Sequence, residues 1–273
     1  PYLGSFKSND ERLNKIWDTG AYTVHLNMQN YLWDGIKRDR LVWVGDMHPE
    51  VMTINSVFGK NEVVAKSLDH AKEITPLPGW MNGISAYSMW WVLIHRDLYQ
   101  HQGDIAYLKQ QRKYLIELLD LLISKTKDNK ENLDGTRFLD WPSSENPQGV
   151  HAGLQAMMVM TLDAGATLCT ILDEPAQAKK CKEVSAKLKT YVPDPNGSKQ
   201  AASLMAIAGL IDPKKANQDV IAVGDCERFS TFYGYYMLQA KAGAKDYSGA
   251  LDRIRNYWGG MLDMGATTFW EDF

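Results

Sequence analysis

Cysteine is scarce in this 273-residue chain, and Cys169, Cys181 and Cys226 form no CxxC pair and no zinc-ligand spacing. Three such residues argue against a disulfide-built scaffold and read as free buried thiols. The six histidines include no HExxH pattern, so neither a metal site nor a cofactor is expected. A Gly-rich phosphate loop, a GxSxG elbow and a Cys–His signature are all missing. There is no basic surplus either: the net charge of -3 gives no reason to expect a nucleic-acid partner. No run of about eighteen apolar residues stands out as a membrane span, and "AYSMWWVLIH" at 86–95 is soon followed by Arg96 and Asp97. No initiator Met or signal peptide precedes Pro1, so the chain reads as a single domain, 1–273, cut from a longer one. Its compartment is left open, a periplasmic or extracellular one being compatible.

What the chain does have is helical periodicity and aromatic residues. Sustained period-two alternation is absent, and apolar residues recur at helical spacing nearly throughout. Helices are expected from a cap at Ser8 or Asn9 onward, with Leu13, Ile16, Trp17 and Tyr22 on the buried side. Further helical stretches fall at 49–58, 61–74, 84–102, 104–126, 149–172, 174–191, 198–210, 229–243 and 246–263. Short Gly- or Pro-bearing turns alternate with long loops at 30–48, 75–83, 127–148 and 220–228. That alternation is the mark of helical hairpins around an axis, with the chemistry gathered on the long-loop end. Nine Trp and thirteen Tyr exceed what a core alone asks for and favour a carbohydrate cleft, since both residues stack on sugar rings.

Two stretches concentrate acids beside indoles. "WDGIKRDRLVWVGD" (33–46) sets Asp34, Asp39 and Asp46 among Lys37, Arg38 and Arg40, between Trp33 and Trp43. It reads as a loop in which interleaved charges form a partly buried network, with Gly35 and Gly45 allowing close backbone approach; a solvated, salt-bridged surface loop is the plainer alternative. "GATTFWEDF" (265–273) places Glu271 beside Trp270, where desolvation would raise a carboxyl's pKa. Weaker candidates are Asp140, Trp141 and Glu145 in "FLDWPSSENPQG", Trp80 in "LPGWMNG", and Asp225, Glu227 and Arg228 in "GDCERF". His48 and His151 are candidate polar groups of a cleft.

"DGIKRDRLVWVGD" followed much later by "GATTFWE" resembles the α-L-rhamnosidases of glycoside hydrolase family 78. "PLPGWMNGISAYSMWWVLIHRDLYQHQGD", "FLDW" and "STFYGYYMLQAKAGAKDYSGALDRIRNYWGGMLDMGATTFWE" follow that family's helical domain in order, so the resemblance covers nearly the whole chain. It implies an all-α fold, a six-hairpin (α/α)6 barrel, here ending before the last barrel helices and without the flanking β-domains of the parent chain. It also implies inverting release of terminal L-rhamnose from a rhamnoside. By position, Asp39 falls on the general acid (a glutamate in most of the family) and Glu271 on the general base. Asp34, Arg40, Trp43 and Asp46 fall on sugar ligands, and Asp140 and Trp141 on a loop lining the sugar site, with Trp80 a further substrate-binding candidate. A six-hairpin glycosidase of other sugar specificity, a non-catalytic sugar-binding relic and a helical scaffold for protein partners remain as alternatives.

Overall fold

The computed structural model describes residues 1–273. Eleven α-helices carry it: α1 (Glu11–Asn27), α2 (Val44–Val57), α3 (Glu62–Glu73), α4 (Ser85–Gln102), α5 (Ile105–Ser124), α6 (Pro147–Ile171), α7 (Pro175–Leu188), α8 (Lys199–Ile207), α9 (Pro213–Ala216), α10 (Thr231–Gly243) and α11 (Tyr247–Asp263). The only sheet is a small antiparallel hairpin of β1 (Thr126–Lys127) and β2 (Lys130–Glu131).

The even-numbered helices pack on one another in chain order from α2 to α10, and α10 also touches α2. Burial patterns explain the layering. α6 is buried around nearly its whole circumference, from Val150 to Cys169. α5 buries a stripe made chiefly of Leu108, Leu115, Leu118, Leu119 and Leu122. A helix that is apolar all round belongs inside, and one with a single stripe belongs outside. α6 is also the helix long and apolar enough to cross a membrane, a run missed beside 86–95, but most of it is enclosed by its neighbours.

Each hairpin reverses the chain, so the connections sort by end. Lys60 in the α2–α3 turn pairs at 2.6 Å with Asp104 in the α4–α5 turn, and the amino-terminal segment joins the same end through Leu3 N–H to the Val57 carbonyl. The long loops 28–43, 74–84, 125–146, 189–198, 222–230 and 264–273 collect at the other end. The alternation expected from the sequence is present, with 189–198 an additional loop.

Several local expectations need correction. α1 is capped by Asp10, whose carboxylate accepts from Arg12 N–H and Leu13 N–H, and Tyr22 faces solvent. The expected helix at 49–58 begins at Val44 and runs through Pro49. Asp46 and His48 are therefore helical rather than part of a loop. Pro49 lies past the first turn, so it leaves the Gly45 carbonyl without the i→i+4 donor that another residue would supply. The β-hairpin replaces the last residues assigned to the helix 104–126, and α9 with a widened turn, Asn217–Ile221, occupies a stretch that showed no helical signal.

β2 anchors the loop 125–146. The Glu131 side chain is fully buried and accepts from His151 at 2.5 Å, from two Arg137 nitrogens and from Leu133 N–H. Burial alone would push its carboxyl up, but these donors outweigh it and hold it at about 2. A depressed carboxyl contributes stability that is complete above its ordinary value of 4.5 and is lost as pH falls toward about 2. Glu131→Gln is therefore expected to lower stability at neutral pH and to flatten the dependence between those two values. Urea denaturation at stepped pH checks it, and an unchanged slope would count against the ion-pair account.

Candidate active site

The stretch 33–46 is built from a closed loop and a helix start. Asp34 N–H donates to the Leu41 carbonyl at 3.1 Å, and Asp34 Oδ1 accepts Leu41 N–H at 2.9 Å. Between them Ile36 to Leu41 are exposed, so the charges do not form the partly buried network expected of them. Arg40 adopts φ 54° and lies 4.8 Å over Trp33, while neither it nor Lys37 makes an ion pair. Gly35 has open space around its Cβ position, whereas a Cβ on Gly45 would lie 2.4 Å from the Tyr87 ring. Gly45 is thus the position where close approach, of α2 on α4, excludes a side chain.

Arg38 does the joining. Its Nε lies 3.4 Å from Asp39 Oδ1 and its Nη1 lies 3.0 Å from Glu271 Oε2. Glu271 reaches it because the carboxy-terminal segment is pinned at three points. Phe269 N–H donates to Thr23 on α1, Trp270 N–H to the Met261 sulfur on α11, and Thr231 on α10 donates to the Trp270 carbonyl. Asp39 also accepts the Trp43 indole N–H at 3.1 Å. A partly apolar pocket around Asp39 is therefore not what surrounds it: Asp39 is exposed, with a cation and an N–H donor on its two oxygens.

Asp46 has the opposite surroundings. It stands in the first turn of α2, opens only partly to solvent, and has no basic side chain in salt-bridge contact. Burial first, and then the charges of Asp34, Glu271 and Asp140, raise its carboxyl to about 8. One helical turn deeper, Glu50 is buried; its Oε1 accepts from Asn27 at 2.8 Å and its Oε2 has no partner. Burial lifts Glu50 well above the ordinary range, and burial likewise raises Asp34. The Tyr87 hydroxyl is pushed up by burial and by Asp46, Asp140, Glu271 and Asp34. Four of the sequence candidates, Asp34, Asp46, Asp140 and Glu271, thus act electrostatically on one centre, and Arg38 ties Asp39 to it.

The other candidates differ in their placement. Asp140 is buried, with its oxygens taken by Gln200, Ser230 and Trp141 N–H, so it fastens the 125–146 loop to α8 and to the start of α10. Trp141 is 67% exposed and packs edge-on against Phe138 at the rim. Trp80 donates to Asp134 at 2.8 Å. His48 lies in the core, hydrogen-bonded to Asp97 and Tyr236, and not in a cleft; His151 serves Glu131. Asp225 pairs with Arg253.

A family described as the bacterial alpha-L-rhamnosidase 6 hairpin glycosidase domain matches residues 1–218. The chain belongs to that family. Among solved structures it is similar to a GH78 family rhamnosidase of Bacillus sp. GL1, with TM-score 0.85 and 21% identity over all of this chain and 33% of that one. It is also similar to a rhamnosidase from Klebsiella oxytoca with rhamnose bound, with TM-score 0.83 and 20% identity over all of this chain and 59% of that one. An alpha-L-rhamnosidase from Dictyoglumus thermophilum gives TM-score 0.80 and 18% identity, covering all of this chain and 35% of that one. This chain therefore spans between 33% and 59% of the length of those proteins, and identities this low speak to the six-hairpin fold. No curated protein sequence matches it. The matched span of the rhamnosidase-type domain holds Asp34, Asp39, Asp46 and Asp140, while Glu271 lies beyond it.

Residues that the sequence did not single out as site members are Arg38, Glu50, Tyr87 and Asn82. Tyr87 and Glu50 sit within helical apolar patterns and read as core. Asn82 carries the helix start: its Oδ1 accepts Val44 N–H at 3.0 Å and its Nδ2 donates to the Val42 carbonyl at 3.0 Å. Trp43, the residue at the cap position of α2, offers no side-chain acceptor, so Asn82 caps the helix from another loop. Asn82→Ala is expected to cost about 1–2 kcal/mol by loss of this cap. Chemical denaturation measures it, and a change below a few tenths would show that the cap is dispensable.

Proposed function

We propose that this domain, as one catalytic unit of a longer chain with flanking β-domains, hydrolyses terminal α-L-rhamnosides with inversion. Asp39 is the proton donor and Glu271 the base that activates water. The observation that carries this reading is the single Arg38 guanidinium in contact with both carboxylates. One bridging group limits their separation, which is compatible with the roughly 6.5–9.5 Å that leaves room for a water between sugar and base. Asp39 must receive a proton and release Arg38 before it can donate, and Glu271 keeps its arginine partner as the base. Asp34 and Asp46 bind sugar hydroxyls. Trp43, held by its indole N–H on Asp39 and edge-on to Tyr87 at 6.1 Å, offers an apolar surface to the sugar. Arg40, Trp80 and the exposed Trp141 line the approach for the leaving group, and Asp140 shapes the floor.

The test is turnover of nitrophenyl glycosides by the full chain. Rhamnoside is expected to be the preferred substrate, with β-rhamnose as the first product seen by proton NMR. Asp39→Asn and Glu271→Gln should each lower kcat by about 10²–10⁴-fold. A first product in the α configuration would rule out inversion, and a different preferred glycoside would overturn the sugar assignment. The donors facing Asp39 favour one further reading, a sugar-binding relic, which predicts rhamnose binding with no turnover of any glycoside.

A further inference from the structure

We propose that Asp46 and Glu50, one turn apart on the same face of α2, are both neutral carboxylic acids in the working site, so that Asp46 meets the sugar as a hydrogen-bond donor. The inference deepens the rhamnoside reading and rests on it for the identity of the ligand. Its basis is a lack of counter-charge. Arg38 lies on Asp39 and Glu271, and Arg40 lies on Trp33. Asp46 faces Asp34 from the 28–43 loop, Asp140 from the 125–146 loop and Glu271 from the carboxy-terminal segment. From α4 and α10 the phenols of Tyr87 and Tyr236 lie within reach of its charge.

Glu50 offers no relief. Asn27 from α1 is its hydrogen-bond partner, Asp46 and Asp34 are the charges that reach it, and one of its oxygens is buried without a partner. Side chains on a helix lean toward its amino terminus, which aims Glu50 at the turn that carries Asp46. A buried carboxylate without a cation gives up its charge by taking a proton. The amino terminus of α2 favours an anion at Asp46, yet burial and three neighbouring acids outweigh it and leave the carboxyl titrating at about 8. Below that pH Asp46 carries an O–H; above it the donor is lost. Two neutral acids beneath Asp34 and Glu271 also keep the negative charge of the pocket on the residues that use it.

Infrared spectroscopy of the chain with carbon-13 carboxyl groups in Asp and Glu tests the protonation without any turnover. At pH 7 a protonated-carboxyl band is expected that weakens in Asp46→Asn and, in the wild type, weakens by the same share as pH rises through about 8, leaving the Glu50 part. Absence of any band that Asp46→Asn removes would overturn the proposal. Kinetics on nitrophenyl rhamnoside gives the second readout. Beside the decline that loss of the Asp39 proton brings, kcat/KM in the wild type should show a second alkaline limb near pH 8. This limb should vanish in Asp46→Asn, which keeps a donor and should lose less than about tenfold. Asp46→Ala, without a donor, should lose about a hundredfold. Glu50→Gln should leave the limb in place, whereas a limb displaced to lower pH would show that Glu50 carries charge and would overturn the neutral pair. The band without rhamnoside turnover would support the neutral acids while removing the substrate assignment.

Discussion

The placement of the site depends on one side chain borrowed from another loop. Asn82 caps α2 where Trp43 cannot, and so fixes the turn in which Asp46 stands. Once that turn is set, Glu50 falls one turn below it and Gly45 lies against Tyr87, with no room for a Cβ. The loop 74–84 is in turn held to the loop 125–146 by Trp80 and Asp134. Three loops that are distant in sequence are thereby registered to a single helix end.

Charge in this site is distributed unevenly. One arginine serves the two carboxylates proposed for proton transfer, while the acids deeper in the pocket have no cation at all. The difference follows from position: Asp39 and Glu271 sit at the exposed rim, where an ion pair is readily solvated. Asp46 and Glu50 sit where desolvation dominates. The same fold therefore maintains two classes of carboxyl within a few residues of one another.

The helical architecture and the gathering of chemistry at one end were legible from the sequence, because hydrophobic period and the alternation of short and long connections are local signals. The convergence of Asp34, Asp46, Asp140 and Glu271 was legible through the resemblance of the motifs that carry them. What was not legible depends on distant partners. Nothing in "LPGWMNG" reports that Asn82 will cap a helix that starts thirty-eight positions earlier, so Pro49 was read as a beginning rather than an interior residue. Arg38 and Arg40 look alike in "KRDR", and only the return of the carboxy-terminal segment distinguishes the one that bridges from the one that stacks. Asp140 looks like a ligand in "FLDW", yet its oxygens are used up by α8 and α10.

The packing of α1 against α11 bears on how the site comes into being. Arg12 pairs with Asp263, its Nε donates to the Arg255 carbonyl, and Asp10 takes the Arg255 side chain, all across about 250 residues of sequence. Contacts so remote close a loop of almost the whole chain, which carries an entropy cost that local contacts do not. Phe269 rests on α1 through Thr23, and Glu271 follows two residues later. Glu271 and the loop that carries Asp39 thus meet only when the first and last helices dock. A chain caught short of that step would hold nearly all its helices and still lack the pocket.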